Sequence, residues 1–168
     1  MNFFLLILLS IPSLFAEDTY RDSSLKKKDA PAFLIKATPT GSEIDDVEYF
    51  KKHYSSGKTT YEIKYELHDD EVSVSYSEDG KFLEKEEDRK FSSLKQDVQD
   101  KIKAYLKEKL KTYKIHETEI RTTSESSFID VEVSHDGGKT GLTEYSFSPE
   151  GNYVSEEAEG VQAIETLN

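Results

Sequence analysis

The stretch "SYSEDGKFLEKEED", residues 75–88, is echoed 71 positions later by "SFSPEGNYVSEEAE", residues 146–159. Asp79-Gly80 alone signals a two-residue hairpin of type I′. The echo argues against that turn. Pro149 stands where Glu78 does, and proline cannot take the positive φ that type I′ demands. A type I turn closed by a left-handed glycine satisfies both copies. Gly80 and Gly151 are therefore expected at positive φ, and with Pro149 they are read as structural turn residues.

Outward from the turn, the chain alternates. In "TYEIKYEL" (60–67), Tyr61, Ile63, Tyr65 and Leu67 interleave with Glu62, Lys64 and Glu66. In "EVSVSYS" (71–77), Val72, Val74 and Tyr76 oppose three serines. This period of two belongs to a sheet with one wet face. "IDDVEYFKKHY" (44–54) and "KFLEKEED" (81–88) complete four strands, the latter an edge-like acidic segment. Four more are expected in "YKIHETEIRT" (113–122), "SFIDVEVS" (127–134), "LTEYSFS" (142–148) and "NYVSEEAE" (152–159). A helix precedes each set. The first is short, opened by Pro31 and ended by Pro39 and Gly41. The second, over 93–111, carries Leu94, Val98, Ile102, Leu106 and Leu110 on one stripe, with Ser93 and Gln96 spaced as a capping box.

The two halves align by register. Ile44 matches Ile115, and Tyr61, Ile63 and Tyr65 match Ile129, Val131 and Val133, because a one-residue slip turns a strand inside out. The expected fold class is α+β: a tandem repeat of a helix plus a four-stranded antiparallel sheet, forming one continuous or saddle-shaped sheet with helices on one face. The expected organisation is a signal peptide at 1–16, a flexible lead-in at 17–29, repeats at 30–90 and 91–159, and a tail at 160–168.

Composition narrows the function. The chain of 168 residues carries a formal net charge of −12. Nucleic-acid binding needs clustered Lys and Arg to displace phosphate counterions, so no nucleic-acid partner is expected. There is no cysteine, which removes disulfides, thiolate chemistry, thiolate zinc sites and a lipid-modified N-terminal cysteine. "MNFFLLILLSIPSLFA" (1–16) has the short apolar core and small final residue of a secretory leader. A periplasmic or secreted bacterial protein is expected, not a lipoprotein, and without membrane insertion after cleavage.

Chemistry-bearing groups are sparse. His53, His68, His116 and His135 include "HDDE" (68–71) and "HDG" (135–137), which offer metal-ligand types but sit at expected turns. "HDGGKTG" (135–141) lacks phosphate-loop spacing. Ser124, Ser126 and Ser127 occupy no nucleophile elbow. Glu84, Glu86 and Glu87 read as a solubilising face. No catalytic residue, cofactor or metal site is expected. Of the ten tyrosines, Tyr49, Tyr61, Tyr65, Tyr76, Tyr145 and Tyr153 fall on sheet faces. They are either core beneath a helix or an exposed recognition surface, since tyrosine gives large contact area at low entropic cost.

"VSVSYSEDGKFLEKEED" (72–88) and "LKQDVQDKIKAYL" (94–106) resemble the PepSY-like proteins with a β-lactamase-inhibitor-like fold. The resemblance spans roughly residues 30–159 and implies a secreted bacterial protein of tandem helix-plus-four-strand units. Lys95 stands where those proteins often carry proline, and the disulfides of the inhibitors with this fold are missing. The expected function is a non-catalytic protein-binding module, inhibitor-like or an envelope accessory, with another envelope or secreted protein as partner. The alternative is a small-ligand or divalent-cation-binding periplasmic protein; a hydrolase ranks last.

Overall fold

The computed structural model describes residues 20–68, 70–135 and 141–158. Nine strands form one antiparallel sheet in strict chain order: β1 (Tyr20–Leu25), β2 (Ile44–Tyr54), β3 (Thr59–Leu67), β4 (Asp70–Ser77), β5 (Phe82–Glu87), β6 (Tyr113–Thr123), β7 (Ser127–His135), β8 (Leu142–Phe147) and β9 (Tyr153–Ala158). Helix α1 (Ala32–Ala37) precedes β2, and α2 (Gln96–Leu110) precedes β6. The class is α+β, and the sheet is open, with β1 and β9 at its edges.

The register explains which face each side chain takes. Ile63 lies opposite Tyr49 and Val74, and Val74 lies opposite Lys85. Lys85 pairs with Thr122; two residues before it, Ile120 pairs with Ile129, and Ile129 with Phe147. Directly paired residues share a face, so both apolar sets point to the same side. Helix α1 covers the first set, with Leu34 packed on Tyr49, Ile63, Tyr65 and Val72. Helix α2 covers the second, with Val98, Ile102 and Leu106 packed on Ile129, Val131, Val133, Tyr145 and Phe147. Both helices therefore sit on one face, over two separate apolar clusters.

Three sequence expectations are corrected. The lead-in at 17–29 contains β1, paired with β2 from Tyr20↔Tyr54 to Leu25↔Tyr49. An edge strand is held by backbone bonds and needs no apolar alternation. The acidic segment around Glu84 and Glu86 is not an edge; β5 is the central strand. The capping box at Ser93 and Gln96 does not form. Phe91–Ser93 makes a 3-10 turn, the Ser93 hydroxyl donates to the Lys90 carbonyl, and α2 starts at Gln96 without a side-chain cap. Gln99 instead secures the entry, donating to the carbonyls of Ser92 and Leu94 at 3.2 and 2.8 Å. The leader at 1–16, the tail at 160–168 and most of "HDGGKTG" lie outside the described residues.

Gly80 and Gly151 both adopt φ +81°. In each turn the serine at the start donates its N–H to the carbonyl of the residue after the glycine (Ser77 to Lys81, Ser148 to Asn152), and its own carbonyl accepts from the glycine N–H. Pro149 takes the first corner, where its fixed φ is suited. The two glycines differ in surroundings. A Cβ on Gly80 would lie 2.9 Å from Phe33 Cγ, a side chain that must shift, whereas one on Gly151 would lie 3.1 Å from the Val98 carbonyl oxygen. Helix backbone yields less than a side chain. Gly80→Ala should cost about 1–2 kcal/mol, the left-handed conformation plus displacement of the Phe33 ring. Gly151→Ala should cost about 2–3 kcal/mol, with the close contact added. Urea denaturation of the two variants checks the order; equal losses would refute the contact argument.

Candidate functional site on the uncovered face of the sheet

Alternation that sends the apolar residues toward the helices sends the others to the opposite face. Among the described residues no helix or strand lies over that face. It is acidic, and its acids are aligned. Glu117 lies directly opposite Glu132, Glu132 opposite Glu144, and Glu144 opposite Glu157. Four glutamates thus form one row across β6, β7, β8 and β9. Like charges placed directly opposite one another destabilise a sheet. Beside this row, Glu119 pairs with Asp130, and Glu117, Glu119, Asp130, Glu132 and Glu144 line a pit of about 160 Å³.

Three cations of this face are paired with acids outside the row. Arg121 donates to both oxygens of Asp130, at 2.5 and 3.3 Å, and its guanidinium lies 4.7 Å from the Phe128 ring centre. Lys52 pairs with Glu62 at 3.1 Å and Lys64 with Glu71 at 3.0 Å. Burial and repulsion from Glu86, Glu117 and Asp88 push the Glu119 carboxyl up to about 8. Burial and the Asp130 charge push Glu144 up to about 7, against the opposing pull of Arg121. Burial and Glu84 raise Glu86 as well. These acids hold protons more tightly folded than unfolded, so folding stability falls as pH rises from the unfolded value near 4.5 through the folded values. Both groups are only partly buried, so solvent screening reduces the effect to on the order of 1 kcal/mol in total. A melting temperature lower at pH 9 than at pH 6, by a few degrees, is expected; a flat profile would contradict it.

The six tyrosines do not build a recognition patch. Tyr49, Tyr65 and Tyr145 are 4%, 8% and 2% exposed and belong to the cores under α1 and α2. Tyr61 and Tyr76 pack at the margin of the first core, with Phe33 against both rings. Tyr153 is 40% exposed and stacks on Tyr105 on the helix side. The alternation of Tyr61 and Tyr65 with charged residues is the sequence signal for the core face.

The histidines do not converge. His53 meets Thr59, and His68 occupies a turn at φ +53°. His116 Nε2 lies 2.7 Å from Ser134 Oγ on the acidic face. That pair is exposed, and among the described residues no hydrogen bond to the other ring nitrogen of His116 is found. Serine activation needs a base oriented by such a third group. Ser124, Ser126 and Ser127 lie at the β6–β7 turn, where Ser127 Oγ meets Thr122.

The fold has solved neighbours. A DUF2874 family protein from Bacteroides uniformis is similar over 77% of this chain and 89% of its own, with 16% identity and a TM-score of 0.60. A BLIP-like protein from Bacteroides fragilis is similar over 71% and 80%, with 14% identity and a TM-score of 0.53. A provisionally periplasmic protein from Bacteroides eggerthii is similar over 59% and 70%, with 12% identity and a TM-score of 0.50. No protein-family profile and no curated relative matches the chain. At these identities the likeness concerns the fold alone, which is similar to that of a BLIP-like protein. No helix among the described residues is long and apolar enough to cross a membrane.

Proposed function

We propose that this chain is a non-catalytic binding module of the bacterial envelope, and that its glutamate-lined sheet face receives a basic segment of another envelope or secreted protein. The observation that carries the reading is the row Glu117–Glu132–Glu144–Glu157. Acids set opposite one another repel, and a row of one sign attracts a partner of the other. Groups shifted by burial together with like charges are concentrated at functional sites. The periplasmic setting rests on the leader-like sequence and the similar Bacteroides folds. An inhibitor role would be one form of such binding. We read the two halves as copies of a helix-plus-four-strand unit, supported by the matched glycine turns and the preceding helices.

Calorimetric titration with a lysine-rich peptide tests this. Binding is expected, weakening as salt rises. Glu132→Gln/Glu144→Gln should weaken it about tenfold or more, which corresponds to about 1.4 kcal/mol. Glu43→Gln/Glu108→Gln, with the same net charge but exposed positions off the row, should leave it within about twofold of the parent. Equal weakening by both variants would show attraction to net charge alone and would overturn the reading. Heat with calcium but none with the peptide would replace it by the small-cation alternative.

A further inference from the structure

The sheet is continuous, but its middle is weakly joined. β6 and β7 stay in register from Tyr113↔His135 to Thr122↔Ser127. β5 and β6 share two registered pairs, Glu84↔Thr123 and Lys85↔Thr122, followed by an isolated bridge between Asp88 and Glu119. One further bond crosses there, from the Arg89 N–H to the Thr118 carbonyl at 2.8 Å. Beyond it the chain leaves the sheet. A cavity of about 640 Å³, bordered by Asp88, Phe91, Gln99 and Ile115, opens between that departing segment, β6 and α2.

The apolar clusters do not bridge this line. Among the described residues none belongs to both. On the helix side the seam is polar: Lys85 and Thr122 face each other, and Lys85 bonds to Glu87 at 2.7 Å. On the uncovered side it is acidic. Asp88, Glu117 and Glu119 each bring a carboxylate oxygen within 4.8 Å of the others. Asp88 and Glu119 are also direct cross-strand partners.

We propose that the β5–β6 seam is a hinge, opened by charge on Asp88, Glu117 and Glu119 and closed when that charge is neutralised. The groups around it are mostly acidic. Glu119 faces Glu86 and Asp88 across the seam, Asp130 and Glu132 on β7, Glu144 on β8, and Glu117 and Arg121 on its own strand. Asp88 faces Asp70, Glu71 and Lys64 from β3 and β4. Of the cations here, Arg121 is paired with Asp130, Lys64 with Glu71, and Arg89 with Asp70 and Glu87, while Lys90, Lys103 and His116 line the cavity beside Asp88 and Glu117. Burial and the Glu117 charge raise Asp88, and burial and its neighbours push Glu119 up to about 8, so Glu119 adds its charge to the seam between about pH 6 and about pH 9. The two-pair ladder near the β4–β5 turn stays closed and acts as the pivot. The other end, where the trio sits, separates. Two packed bodies joined by a few element-terminal residues have the geometry of a hinge.

The absence of cysteine makes the test direct. Spin labels at Ser42→Cys and Thr112→Cys, exposed positions on the two bodies at the opening end, report the separation by pulsed electron resonance. The mean distance is expected to lengthen between about pH 6 and about pH 9. Glu117→Gln/Glu119→Gln should hold the short distance at both values. An unchanged distance in the parent would overturn the hinge. A lengthening that survives in the double variant would overturn the assignment to these carboxylates. The peptide titration above can fail without affecting either outcome, since the hinge does not depend on a partner.

Discussion

Phe147→Ala should lower the unfolding free energy by about 3–5 kcal/mol, a large part of the 5–15 kcal/mol typical of a domain. Phe147 is fully buried at the end of β8. Its ring meets Tyr105 edge-on at 5.6 Å and Tyr153 at 6.4 Å, in the cluster formed by α2 and β7. Truncation removes the transfer energy of the ring and leaves a void that a close-packed core fills only in part. Tyr153 belongs to the same aromatic group but is largely exposed, so Tyr153→Ala should cost about 1 kcal/mol. Chemical denaturation of the two variants compares them. A loss below about 1 kcal/mol for Phe147→Ala would contradict the packing described here.

Arg121→Ala should be nearly as costly, about 3–4 kcal/mol. Asp130 is 3% exposed, and Arg121 supplies its counter-charge while also donating to Ser146 Oγ at 3.4 Å. Losing the guanidinium strands a buried carboxylate beside Glu119 and Glu144. Removing both charges is a different matter, since a buried pair offsets much of its own attraction by desolvation. The double variant Arg121→Ala/Asp130→Asn should therefore recover at least half of the single variant's loss. Failure to recover would mean that Arg121 acts through its packing on Phe128.

Much of the fold was legible because local and global signals agree. The echo of Gly80 in Gly151 set the turn type. The alternation through Ile63, Tyr65 and Val72 set the core face, and the four-residue stripe from Val98 to Leu106 set the helix. What escaped depends on long-range pairing. β1 is a polar edge strand whose stability comes from backbone bonds to β2, which no side-chain pattern announces. The acidic β5 reads as an edge because Glu84 and Glu86 alternate toward the uncovered face, yet it is the central strand of the sheet. The glutamate row required the registers of three successive hairpins. Glu117, Glu132, Glu144 and Glu157 are separated by unequal spacings, and the β6 bulge between Ile115 and Glu117 shifts one of them. In sequence they are ordinary solvent-side residues; only pairing makes them neighbours.

That row is the centre of the account, and its ionisation can be read residue by residue. Carboxyl-carbon NMR titration of the free protein should place Glu119 near 8 and Glu144 near 7, with Glu150, held down by its Ser148 hydrogen bond, below the ordinary value of 4.5. Addition of the lysine-rich peptide should lower both raised values, because a cation favours the charged form. Glu119 and Glu144 titrating together near 4.5, unmoved by the peptide, would contradict the crowded acidic face and the binding role built on it.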